Sequence, residues 1–168
     1  MNIRDVRDDD FPSITRMYNY YVEHTIVTFD EEPLTCEAMR QKAGVIQRNY
    51  PYWVLEDDGG TVVGYGYGSQ FRAKPAYRFT VETSIYFETS ATGKGYGSAL
   101  YTALLADLRD RGFKTALGVL GLPNEASAGL HEKMGFVKTG HLHNAGWKFG
   151  RWVDTGYWHL DLTTFARK

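Results

Sequence analysis

The chain has 168 residues, 43% of them hydrophobic, which is enough for one domain with a full-sized core and no second domain. Its 19 basic and 20 acidic residues leave a net charge of -1 with no run of one sign, which argues against an electrostatic nucleic-acid or membrane surface and points to a small partner. No stretch approaches the roughly 20 apolar residues of a membrane span, the first ten residues lack a signal-peptide core, and the lone Cys36 cannot close an internal disulfide, so a cytoplasmic protein is expected.

Ile3 to Arg7 alternates apolar and polar residues and predicts a first strand; Asp8 to Asp10 with Pro12 then start a helix. Ile14, Met17, Tyr18, Tyr21 and Val22 recur at helical spacing, a stripe suited to core or to a dimer surface rather than to a cofactor. The segment from His24 to Leu34 is too apolar for a mere solvated connection and is a candidate pocket wall. Thr35 caps a second helix that runs to about Asn49 and stops before Pro51. The period then becomes alternating. Tyr52 to Glu56, Thr61 to Gln70 and Arg78 to Phe87 are predicted strands, with a hairpin turn at Asp57-Asp58-Gly59-Gly60 and a basic insert at Phe71 to Tyr77. A glycine-rich loop leads into a helix over Ala99 to Leu108, closed by Arg111-Gly112-Phe113. Thr115 to Leu120 is a fifth strand, broken at Gly121-Leu122-Pro123-Asn124, and a short helix follows to about Met134. Two tail strands, Phe136 to His143 and Trp152 to Leu162, are joined by Gly146 to Arg151. The pattern is that of one α/β domain over the whole chain, with a mixed sheet and flanking helices.

Thr92-Gly93-Lys94-Gly95-Tyr96-Gly97-Ser98 lies between a strand and a helix, where three glycines let backbone N–H groups converge on an anion and the helix dipole adds to the attraction. A P-loop needs Gly, four residues, then Gly-Lys-Ser/Thr; here Gly95 follows Lys94 and no glycine stands five residues before Gly93. A dinucleotide fingerprint would place its third glycine where Ser98 stands, in a unit near the N-terminus, and would be followed by a ribose-binding acid that is missing. The loop instead resembles the pyrophosphate loop of the GCN5-related N-acetyltransferase (GNAT) superfamily, Gln/Arg-x-x-Gly-x-Gly/Ala, with Thr92 in the place of Gln or Arg and Lys94 able to restore a charge. Asn124 through Phe136 resembles the superfamily's second signature. Over nearly the full length the chain is similar to the phosphinothricin and methionine sulfoximine acetyltransferases, through Tyr18-Asn19-Tyr20-Tyr21-Val22, Thr28-Phe29, Ala76-Tyr77, Thr80-Val81-Glu82, Gly121-Leu122-Pro123-Asn124, Leu130-His131-Glu132 and Gly150-Arg151-Trp152-Val153-Asp154. The resemblance implies a mostly antiparallel central sheet, acetyl-CoA as cofactor, direct attack by the amino group of a small amino-acid-like acceptor, and a homodimer.

Alternation sorts the third central strand into a face with Arg78, Thr80, Glu82, Ser84 and Tyr86 and a face with Phe79, Val81, Thr83, Ile85 and Phe87, one polar and the other core. A partly desolvated carboxylate on the polar face could take a proton from an attacking ammonium, while an ion pair with Arg78 or Lys74 is the plainer role for Glu82. The resemblance makes Glu82 the catalytic base. On the short helix Asn124, Ser127 and His131 share one face, with Ala126 and Leu130 on another that can pack inward. His131 stands where most of the superfamily has a tyrosine, read as the acid for the leaving thiolate; histidine is what the phosphinothricin branch shows, and its duty as acid or base stays open. The resemblance further implies that the backbone of Ile85, Tyr86 and Phe87 pairs with pantetheine, that Gly93, Lys94, Gly95, Tyr96, Gly97 and Ser98 hold the pyrophosphate, and that Asn124 and Ser127 lie on the cofactor side. Acceptor contacts fall to Phe29, Lys74, Tyr77, Ser84, Tyr86, Gly121 and Thr155, with Arg72 and Arg78 as neighbouring cations; Lys74 replaces an arginine common at its position. His131-Glu132-Lys133-Met134-Gly135 lacks the second histidine of a zinc-protease helix. His141 and His143 share one side of a strand with no third ligand at sensible spacing, so no metal is expected. The rival functions are acetylation of a polyamine, an aminoglycoside or a peptide N-terminus, and acyl-CoA sensing without catalysis.

Overall fold

The computed structural model describes residues 1–91 and 93–166, so the expectation for Thr92 lies outside the described residues. Strands β1 (Asn2–Asp5), β2 (Tyr52–Glu56), β3 (Val62–Gln70), β4 (Thr80–Phe87), β5 (Thr115–Leu122), β6 (Val137–Lys148) and β7 (Arg151–Asp161) form one sheet in the order β1-β2-β3-β4-β5-β7-β6. Every neighbouring pair is antiparallel except β4 and β5, which are parallel. Helices α1 (Phe11–His24) and α2 (Cys36–Gln47) cover one face; α3 (Tyr96–Asp110) and α4 (Glu125–Lys133) cover the other.

The sequence of β3 explains how both faces fill. Gly64, Gly66 and Gly68 alternate with Tyr65 and Tyr67. A Cβ on those glycines would stand 2.3, 2.8 and 2.9 Å from the side chains of Phe87, Ile85 and Val81, so the bare backbone lets β4 side chains lie across β3 on the α3 face. On the opposite face Tyr65 stacks on Tyr86 at 5.2 Å and Tyr67 on Tyr52 at 5.0 Å, under the buried stripe of Ile14, Met17, Tyr18 and Val22. The stripe is therefore core. Thr35 caps α2 as expected, accepting the amide of Ala38.

Two boundaries and one strand face near the site differ from expectation. β5 does not break at Gly121, which pairs with Thr155 of β7; the strand runs to Leu122, before a cis peptide to Pro123. The β6–β7 connection is not the segment 146–151 but the two residues Phe149 and Gly150, both at positive φ (52° and 71°), the primed turn whose twist suits a hairpin. The polar face of β4 is not an open floor either, because Tyr86 packs edge-on against Tyr18 at 5.3 Å beneath α1.

What positions the site is a short pairing. β4 and β5 are joined only from Thr80↔Thr115 to Glu82↔Leu117, although both strands continue for five more residues. Beyond Glu82 they part, and the facing backbone edges carry no ladder pairing to each other, so a group that is not sheet can pair there.

Candidate active site

A cleft of about 520 Å³ opens along the parting strands. Ile85 and Phe87 of β4 line one wall, Gly93, Gly95, Tyr96, Gly97 and Ser98 its end, and Asn124 and Ser127 the α4 side. Gly93 and Gly95 have φ of 77° and 81°, the left-handed conformation only glycine adopts without strain, and they turn the chain so that α3 starts facing the cleft. Gly95 stands at the N-cap with no side-chain cap, which leaves the first-turn amides for an anion. Gly97 allows close approach of α4, since a Cβ there would stand 3.1 Å from Leu130. Lys94 is exposed and does not line the cleft.

Sequence periodicity missed Tyr21, Leu130 and Lys133, which also line this cleft, while Val27 does so from the apolar loop expected to form a pocket wall. Tyr21 lay in a stripe read as core, yet its hydroxyl donates to the Phe87 carbonyl at 2.7 Å. Of the three β4 residues expected to pair with a pantetheine arm, Phe87 thus already has one hydrogen bond on its carbonyl. Tyr86 lies instead on a narrow slot of about 50 Å³, shared with Val27, Thr83, Ser84, Asn124 and His131.

His131 is 5% exposed, so the inward side of α4 is the one that carries this imidazole together with Ala128, whereas Ala126, expected to pack inward, is exposed on the cleft. Its Nδ1–H donates to the Ser127 carbonyl at 2.8 Å, which leaves Nε2 of the neutral ring to accept from the Tyr101 hydroxyl at 2.9 Å. The Tyr101 oxygen is in turn 2.6 Å from Thr83 Oγ1, itself 3.1 Å from the Leu117 carbonyl. Burial pushes the imidazole pKa down, opposed by the Ser127 carbonyl. The ring sits directly on Gly118, where a Cβ would fall 2.2 Å from Nε2. Sequence reading placed Thr83 in the core and passed over Tyr101 and Gly118, because nothing local shows that a threonine, a tyrosine and a glycine from three elements meet one histidine.

Glu82 is the last residue of the β4–β5 pairing. It makes no ion pair or side-chain hydrogen bond among the described residues, so the pairing with Arg78 or Lys74 does not occur. Burial raises its pKa, and the charge of Arg72 opposes the rise. Ser84 flanks it on the same face and lines the slot. The other expected acceptor residues divide into two groups. Arg72, Lys74, Tyr77 and Arg78 are all exposed on the insert; Arg78 lies over the Phe79 ring at 4.5 Å and donates to the Pro75 carbonyl, and Tyr77 packs edge-on against Phe71. Phe29, Gly121 and Thr155 meet on the far side of β5, where a Cβ on Gly121 would stand 3.2 Å from the Phe29 ring and one on Gly146 2.5 Å from it.

The loop bearing Phe29 is tied down from three directions. Tyr18 donates to Asp30 at 2.5 Å and meets Thr28 Oγ1 at 2.9 Å. Asn19 clamps Leu34 through both its amide N–H and its carbonyl. Lys148, 1% exposed, reaches across from β6 to donate to the Thr28 carbonyl at 2.7 Å, and burial pushes its pKa down. Sequence reading did not select Lys148, a lysine on a hairpin being ordinarily solvated. His141 and His143 do share one side of β6, and the expectation that they lack a third partner fails: Asp154 arrives from β7, a register neighbour that spacing along one strand does not reveal.

Residues 3–156 match the acetyltransferase (GNAT) domain family. The chain is 41% identical to a phosphinothricin N-acetyltransferase of Alcaligenes faecalis, over 91% of this chain and 78% of that one, and 35% identical to an L-methionine sulfoximine/L-methionine sulfone acetyltransferase of Pseudomonas aeruginosa, over 96% and 94%. It superposes with a TM-score of 0.92 on the crystal structure of a GNAT superfamily phosphinothricin acetyltransferase from Sinorhizobium meliloti in complex with AcCoA, at 38% identity, covering 95% of this chain and 87% of that one.

Proposed function

Since the chain belongs to the GNAT acetyltransferase family and is an acetyl-CoA-dependent N-acetyltransferase, we propose that its acceptor is the amino group of a small amino-acid-like molecule of the phosphinothricin, methionine sulfoximine or methionine sulfone type. The observation that carries the reading is Glu82: a half-buried carboxyl with no ion-pair partner among the described residues, near the charge of Arg72, at the point where β4 and β5 separate. A small amino acid offers what this setting can use, an ammonium for Glu82 and an acid group for Arg72 or Lys74.

The residues fit the cofactor. The positive-φ glycines and uncapped start of α3 suit a pyrophosphate, and the unpaired edge of β4 at Ile85 suits an amide-bearing arm. When bound, acetyl-CoA supplies an acetyl group activated as a thioester. Glu82 takes a proton from the acceptor ammonium, directly or through water, because only the neutral amine has a lone pair to attack with; its raised pKa brings it closer to the task than an exposed carboxylate would be. Both nitrogens of His131 are engaged inside the protein, so His131 acts through the Tyr101–Thr83 hydrogen bonds rather than by a nitrogen turned to the cleft, and it holds the α4 wall of the slot in place. Arg72 and Lys74 orient the acceptor's acid group.

Thiol release measured over a panel of amino-acid analogues, polyamines, aminoglycosides and peptides tests the acceptor class. Methionine sulfone or a close analogue is expected to lead, and a polyamine or peptide leading would overturn the assignment. Glu82→Gln should lower turnover at neutral pH by roughly two to four orders of magnitude, the usual worth of a general base, with acetyl-CoA binding retained; unchanged turnover removes Glu82 from the role. A homodimer is also proposed, supported by Trp147, Phe149 and Trp152, which stand exposed near the tip of the β6–β7 hairpin at the sheet edge, the two tryptophans in edge-on contact. Light scattering at micromolar concentration should give twice the chain mass, and Trp147→Glu should shift it toward the monomer.

A further inference from the structure

On the β6–β7 hairpin the side chains of His141, His143 and Asp154 converge. His141 Nε2 is 2.7 Å and His143 Nδ1 2.9 Å from the same oxygen, Oδ2 of Asp154, and the candidate donor atoms all lie within 4.8 Å of one another. The two rings face each other at 4.4 Å. The hairpin is shaped to do this. Its register shifts between Leu142 and Gly146, Asn144 takes a positive φ of 52°, and the freed Asn144 amide donates to the other carboxylate oxygen, Oδ1, at 2.9 Å. The backbone thus orients the carboxylate and leaves Oδ2 for the imidazoles, the outer-sphere support that ligating carboxylates ordinarily carry.

We propose that His141, His143 and Asp154 form a binding site for one zinc-type divalent transition-metal ion, with solvent completing its coordination. Two imidazoles and a carboxylate are a borderline donor set that suits zinc, nickel or copper and disfavours magnesium and calcium, which want oxygen alone. Metal–ligand bonds of about 2.1 Å in tetrahedral array put donor atoms about 3.4 Å apart, so each imidazole nitrogen must move out from Oδ2 by about 0.5–0.7 Å and the two nitrogens, within 4.8 Å of each other, must close by up to about 1.4 Å. The two histidines are exposed enough to make that adjustment, at 36% and 77% of the side chain. Ligation needs each ring's N–H on the outward nitrogen, which turns both inward lone pairs toward the ion. The ion would pin the bulged part of β6 to β7. It plays no part in acetyl transfer.

Isothermal titration of the metal-stripped full chain with zinc, and separately with magnesium, tests the site. One zinc per chain with a micromolar Kd is expected, no magnesium binding under the same conditions, and a rise in Tm with zinc. His141→Gln and His143→Gln should each weaken zinc at least tenfold, and the double variant should abolish the Tm shift. Both positions are outside the acetyl-transfer machinery, so turnover without zinc should be unchanged and serves as the check that the variants fold. Zinc affinity weaker than about 100 µM in the parent chain, or binding untouched by the double variant, would overturn the proposal.

Discussion

Gly118→Ala isolates the seat of His131. The new Cβ would fall 2.2 Å from Nε2 and 2.3 Å from Cδ2, far inside the 3.5–4.0 Å of an ordinary contact. β5 cannot withdraw, because Gly118 pairs with Trp158 of β7. The ring cannot slide, because Tyr101, Phe136 and Trp158 surround it at centroid distances of 5.2, 5.0 and 6.4 Å. It must rotate out and give up its bond to Tyr101. Overpacking a filled core costs about 1–3 kcal/mol, and losing the Tyr101–His131 hydrogen bond costs about 0.5–1.5 kcal/mol more, since the hydroxyl keeps Thr83 Oγ1 at 2.6 Å. Removing a glycine's freedom from the unfolded chain returns about 0.4–1 kcal/mol. A net loss of about 1–4 kcal/mol corresponds to a Tm lower by roughly 2–16 °C for a chain of this size. The assay is urea unfolding of the parent chain, Gly118→Ala, His131→Ala and the double variant. With the ring gone the three nearest atoms to the added methyl are removed, so Gly118→Ala should cost nothing in the His131→Ala background, giving a coupling equal to the whole parent-chain loss, about 1–4 kcal/mol. A cost below about 0.5 kcal/mol in the parent chain, or an equal cost in both backgrounds, would refute the packing argument.

Two further outcomes follow from the same geometry. The charge of Arg72 favours the ionised form of Glu82, so Arg72→Gln should raise the carboxyl pKa and move the acid limb of the kcat/KM profile to higher pH, and added salt should reproduce part of the shift in the parent chain; a limb that stays in place would separate Arg72 from the base. Lys148→Met keeps the side-chain volume but drops the hold on the Thr28 carbonyl, so the KM for the acceptor should rise about three- to tenfold, a loss of roughly 1 kcal/mol as for one hydrogen bond, while the KM for acetyl-CoA stays constant; equal effects on both would mean that the loop bearing Phe29 serves the fold and not the acceptor.

The sequence by itself determined the elements whose physics is local. The stripe on α1, the Thr35 cap, the strand alternation, the hairpin glycines and the Gly93–Gly97 loop all lie within one or two turns of chain, and each was readable from spacing alone. The resemblance in the scattered motifs supplied the chemistry and named Glu82 and His131. Tertiary structure decided what depends on pairs far apart in sequence. That β4 and β5 part after Glu82 is a property of two strands and the connection between them, and it converts a glycine loop into the end of a cleft. Tyr21 belongs to the core by period and to the cleft by its hydroxyl, because a helix face fixes where the ring goes but not what its tip will meet. By sequence alone an ion pair was the plainer role for Glu82, and only its environment shows it half-buried without one among the described residues. His131 carried a family role, yet its dependence on Gly118, Tyr101 and Thr83, like the meeting of Asp154 with His141 and His143, arises where strand register brings residues together, and register is an interaction between segments that no single segment encodes.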